Sequence, residues 1–271
     1  MITRIYFAMS LTLLLWGGFK SSIAAPALTT APLPTFQGLL GRQWHWINNK
    51  WTDNDKPYLQ VRSQISPLWR AKRMNRKELK RLKQLSLQRP ADNVARFRWA
   101  YYTYCFLLLQ SNRDSVSGEI GDVSQAFSAN PTPNSYQYGR LRFLIACSPG
   151  GSAGFPYGNG LYLKQLGERL LRRDTKDERV KTYQIDNLMT GQPQDERKSL
   201  RYAQDLVKAN PKDASAYITL GWVCQYTYVG RRSKDGRQQA INAYQKALAL
   251  NKTPGKWRDS ALSNIRRLQK I

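Results

Sequence analysis

Apolar positions recur at helical spacing along most of this chain. The clearest case is the stretch 213–251. In it Tyr217, Leu220, Gly221 and Cys224 share one face, and Ala240, Tyr244, Ala247, Leu248 and Leu250 share another. A charged turn bounded by glycines separates the two patterns. Further helices are predicted over 94–110, 135–147 and 179–189, each rich in aromatics and arginine. Near the C-terminus, Trp257, Ala261, Ile265 and Leu268 form one more stripe.

Helix endings repeat at Pro90, Pro131, Thr175, Pro211 and Lys252, at intervals of 41, 44, 36 and 41 residues. Counting back from each ending aligns Leu85, Ala126, Leu170, Leu206 and Ala247 in one column. Leu82, Val123, Gly167, Ala203 and Tyr244 fall in a second. Every member is apolar or small, as a buried repeat position requires.

The stretch 213–251 resembles a tetratricopeptide repeat. Tyr217 stands where that family has Trp, Leu220-Gly221 match its Leu-Gly, and Ala240, Tyr244 and Ala247 match its second helix. Cys224 replaces the family's Tyr, the closing Pro is missing, and the turn is about seven residues longer than the usual one. The resemblance implies an all-α chain, a TPR-like α-solenoid of stacked antiparallel helix pairs. Five pairs would span 61–254, and a capping helix would occupy 255–271. Gly221 would let the paired helix, with its small Ala240 and Ala247, lie close. The groove-facing positions implied are Ser215, Ile218, Trp222, Gln225 and Tyr226 in the clearest unit. Phe97, Tyr101 and Tyr104 fall there in the second unit, and Tyr138 and Arg142 in the third. Aromatics with arginine suit an extended, acidic peptide. The alternative is that these side chains only fill space between helices.

Residues 1–24 carry a basic start at Arg4, a short apolar run and Ser22-Ile23-Ala24, the pattern of a cleaved signal peptide. The protein is therefore expected to be exported, periplasmic or extracellular, with an uncleaved membrane anchor as the alternative. Residues 25–60 read as a leader with Pro26, Pro32 and Pro34, then an aromatic N-terminal cap containing Trp44, Trp46 and Trp51. Those rings could form a binding platform or a hydrophobic plug. His45, the only histidine, has no cysteine near it and is expected to be structural.

The net charge is +25 over 271 residues. Residues 61–89 hold ten Lys or Arg and one acid, Glu78, around the stripe Leu79, Leu82 and Leu85. Such a surface could meet an anionic polymer or a membrane surface, or it could be a solvated helix face. Nucleic acid is not expected, because no reader motif accompanies the charge. The Gly-rich stretch 148–160 lacks the Lys-Ser or Lys-Thr of a phosphate-binding loop. Acids cluster at Asp174, Asp177, Glu178 and at Asp195, Glu196, where helix caps are expected. No catalytic, metal or cofactor set emerges. Cys105, Cys147 and Cys224 lie in apolar patterns, with a Cys105–Cys147 bridge possible in an exported protein. The expected function is a non-enzymatic scaffold that takes a peptide or protein partner in its groove. A polyanion or envelope-surface binder is the alternative.

Overall fold

The computed structural model describes residues 55–110, 113–129, 133–151, 159–190, 194–231 and 234–270. The expectations for the signal peptide, the Pro-rich leader, Trp44, His45, Trp46 and Trp51 lie outside these residues. Among the described residues the protein is all-α, with eleven helices, one 3-10 turn and no strand. The helices are α1 (Lys56–Arg70), α2 (Arg76–Gln88), α3 (Asn93–Leu109), α4 (Ser117–Ala129), α5 (Tyr136–Ala146) and α6 (Asn159–Arg173). They continue with α7 (Glu178–Thr190), α8 (Glu196–Ala209), α9 (Ala214–Arg231), α10 (Lys234–Leu250) and α11 (Lys256–Gln269).

Local chemistry starts several of these helices. Asn75, Asp92, Ser135 and Asp195 each accept a hydrogen bond from a backbone amide of the first turn of α2, α3, α5 and α8. Such a cap contributes about 1 kcal/mol. In α3 the residues from Trp99 to Leu107 are all buried. A helix apolar on every side has to be enclosed by others, and α3 packs against α1, α2, α4 and α5.

From α2 to α11 each helix packs on the next in sequence. The pairs α3–α5 and α5–α7 also touch. The column Leu82, Val123, Gly167, Ala203 and Tyr244 is buried throughout. Helix α1 departs from this order. It has no substantial contact with its sequence neighbour α2 and packs on α3 and α5 instead. The two sit on opposite sides of α3. Tyr58 of α1 meets Phe97, while Arg76 of α2 lies over Phe106 and Asn75 donates its amide to the Tyr102 hydroxyl.

Three expectations need correction. The turn inside 213–251 is shorter than expected, because α9 runs to Arg231 and α10 begins at Lys234. No proline interrupts this stretch, so the extra residues lengthen the helices. Lys72 and Arg73, expected among the cations that surround the Leu79, Leu82 and Leu85 stripe, sit instead in the turn before α2, with Lys72 at φ 53°. The three cysteines are free thiols. Cys147 faces α7, where its sulfur accepts from Asn187 Nδ2 at 3.5 Å, so it does not pair with Cys105 of α3.

Among the described residues, buried apolar side chains form three clusters. The largest runs from Tyr58 of α1 to Val180 of α7. A second joins Ile185, Met189, Ala203, Leu206, Ala216 and Val223. The third joins Cys224, Ala240, Ile241, Tyr244, Ile265 and Leu268.

Candidate functional site

On α3, Phe97, Tyr101 and Tyr104 recur at spacings of four and three and form one stripe. That stripe, with Tyr138 of α5, faces α1. The Tyr58 ring lies 4.9 Å from Phe97 and 5.6 Å from Tyr138. Farther along, Ser66 Oγ is 3.2 Å from the Tyr101 hydroxyl, and the Arg62 guanidinium sits 5.8 Å over the same ring. At the end of α1, Arg179 of α7 lies between Trp69 and Tyr104, at 5.5 Å and 5.9 Å. Helix α1 thus runs alongside α3 in the same direction.

Polar contacts fix its register. The Asp55 carboxylate accepts from the Gln137 amide at 3.1 Å and from the Ser135 hydroxyl, at the N-terminus of α5. An anion there is favoured by the free amides of the first turn. Arg62 donates to Gln137 Oε1. Burial, with Tyr138 beside it, pushes the Tyr58 phenol up to about 12.

Phe97, Tyr101, Tyr104, Tyr138 and Arg142 are buried. These five therefore present no open wall, and the rings fill space between helices. Arg142 turns away from α1 and lies 5.8 Å over Tyr162, a residue of α6. Gln225 is also turned inward, accepting the Tyr244 hydroxyl of α10 at 2.9 Å. In both cases the position lies on the side of the first helix that meets its own partner. Arg96 is internal too, donating to the Tyr138 hydroxyl at 3.1 Å. Part of the arginine content of these helices is thus structural.

Beyond Trp69 the surface opens. A cleft of about 250 Å³ lies between Glu178, Arg179 and Thr182 of α7 and Asn210, Ser215 and Thr219. A second, of about 540 Å³, is lined by Lys212, Ser215, Ile218, Leu250 and Trp257. Ser215 and Thr219 belong to both, so α9 is the ridge between them. Along α9 follow Trp222 and the exposed Tyr226, with ring centroids 6.2 Å apart. Gln194 Nε2 donates to the Tyr226 hydroxyl at 3.0 Å. Of the positions named from sequence, Ser215, Ile218, Trp222 and Tyr226 retain accessible surface. Arg179, Thr182 and Trp257 were missed. Helix α7 has no Leu-Gly pair to set its register, and Trp257 was read only as a capping residue.

The N-terminus of α7 is held by a buried ion pair. Arg140 of α5 donates to both oxygens of Asp177, the second at 3.0 Å. Tyr136 donates its hydroxyl at 3.2 Å and Val180 its amide at 3.2 Å. Burial alone would raise the Asp177 carboxyl, but Arg140 and the other donors hold it below its ordinary value. Among the described residues no group of His, Cys, Asp and Glu is placed to hold a metal ion. None of the described helices is long and apolar enough to cross a membrane. No family model, curated protein or solved structure matches the chain.

Proposed function

We propose that the chain is an exported, TPR-like α-solenoid that acts as a non-enzymatic scaffold, binding a peptide or protein partner along α7, α9 and α11. The observation that carries this reading is the pair of clefts sharing Ser215 and Thr219, continued by Trp222 and Tyr226. Support for the repeat arrangement comes from the sequential packing of α2 to α11 and from the buried column at every second helix. Aromatic side chains on a rigid helix supply contact area at low entropic cost, which suits peptide binding.

The test is selection from a displayed peptide library on the purified protein, followed by affinity measurement. Ile218→Glu and Trp222→Ala should each weaken a selected peptide at least tenfold. A peptide that binds both variants as it binds the parent would refute the site.

The second reading, a polyanion or envelope-surface binder, is favoured by the exposed Arg70, Lys72, Arg73, Lys77 and Lys80 around the α1–α2 turn. Retention on an immobilised polyanion would then fall steeply as salt rises. Peptide binding in the clefts would persist.

A further inference from the structure

Helix α1 is bound to the rest of the chain the way a helical ligand is bound in a groove. Its neighbour in sequence is not its neighbour in space. It rests on an aromatic stripe through one face only, with Tyr58, Val61 and Ile65 buried and Trp69 partly so. Leu59 and Leu68 on its other side are 47% and 40% exposed. The anchors recur at spacings of three, four and four, as in amphipathic helices that dock in grooves. Directional contacts add register: Asp55 on the N-terminus of α5, Arg62 on Gln137 and Ser66 on Tyr101.

The groove does not depend on α1 for its walls. Helix α3 is also held by α2, α4 and α5, and α5 by α4, α6 and α7. The link from α1 to α2 is residues 71–75, which include Lys72 at φ 53°. A lysine in that left-handed region is uncommon and costs strain.

We infer that the inner face of α3 and α5 is a helix-binding groove with α1 as its resident ligand, which a partner's amphipathic helix of the same pattern displaces. That pattern is an acid three residues before an aromatic anchor, aliphatic anchors three and seven residues after it, and an aromatic at eleven. The inference deepens the scaffold reading by naming a ligand class, and it uses a different stretch of the same face. A tethered occupant lowers the apparent affinity for a free competitor in proportion to the time the groove is open. Loosening α1 should therefore raise that affinity.

The test uses the full chain and a labelled synthetic peptide of residues 54–71. The peptide should bind Tyr58→Ser/Ile65→Ser protein at least tenfold more tightly than the unaltered protein. A peptide carrying Val61→Asp and Ile65→Asp should bind neither. No gain in affinity, or loss of folding in the altered protein, would overturn the inference, since α1 would then be an integral part of the core. Hydrogen exchange of the unaltered protein gives a second measure. Excess peptide should speed exchange in residues 58–70 and leave α3 protected. Exchange of α1 only together with α3 would overturn it. Peptide that fails to bind while the unaltered chain dimerises would also overturn it, giving the groove to a second copy. Trp222→Ala should not change peptide binding, so failure in the α7–α9–α11 clefts and failure here are read separately.

Discussion

Replacing Gly221 with alanine tests the contact of α9 with Tyr244 of α10. The family resemblance predicts small residues, Ala240 and Ala247, opposite this glycine. The structure instead places Tyr244 there. A Cβ added at Gly221 would lie 2.8 Å from both Cδ1 and Cε1 of that ring. Carbon atoms prefer about 3.5–4.0 Å, so the ring has to move. It is only 2% exposed, and its hydroxyl is tied to Gln225 at 2.9 Å. Overpacking of this kind costs about 1–3 kcal/mol. Alanine in place of glycine returns up to ~1 kcal/mol of helix propensity. The net expectation is a loss of ~1–2 kcal/mol for Gly221→Ala and more for Gly221→Leu. In a domain of this size each ~1 kcal/mol lowers Tm by about 2–4 °C. Thermal melts followed by circular dichroism measure it. In a Tyr244→Leu background the cost of Gly221→Ala should shrink, which assigns it to the ring. Gly221→Ala protein that melts at or above the parent temperature would refute the contact.

Three further outcomes follow from other parts of the molecule. Asp177→Asn leaves Arg140 without its partner in a largely buried site and should cost about 3–5 kcal/mol in denaturant unfolding. Because the folded carboxyl lies below its ordinary value of 3.8, its stabilisation is complete above that value. It is lost as pH falls through the lower folded value, so the variant should show a flatter stability profile below about pH 4. Burial pushes the thiols of Cys105, Cys147 and Cys224 up to about 11, 12 and 11. Iodoacetamide should therefore modify them only after denaturation, and rapid labelling of the native protein would contradict the packing. N-terminal sequencing of exported protein should begin near Ala25; material starting at Met1 would favour the anchor.

The helices were legible because their signals are local. The ranges 94–110, 135–147 and 179–189 lie within a residue of α3, α5 and α7. Apolar spacing and the caps at Asp92, Ser135 and Asp177 set them without reference to distant parts of the chain. Phe97, Tyr101 and Tyr104 form one stripe at helical spacing, but what covers them was not readable. The Asp55–Gln137 contact joins residues far apart in sequence, and no periodicity reports it. Arg142 and Gln225 show a different limit. A shift of one position around a helix turns a side chain by about 100°, enough to move it from the open face to the paired helix.

The division of the core into three clusters also fixes how the molecule would yield to force. Helices α9, α10 and α11 share one cluster and connect to the rest through α8. A pull on the C-terminus would load α11 first, then the long α9–α10 pair, before reaching the main cluster. Each pair removed would free ~40 residues, or ~140 Å of extended chain at about 3.5 Å per residue. The N-terminal end has no such order. Helix α1 touches α3, α5 and, through Trp69, Arg179 of α7, so tension applied there would act on these contacts of one docked helix before any other helix yields. The two ends would therefore yield differently, by successive pairs at the C-terminal end and by release of one docked helix at the N-terminal end.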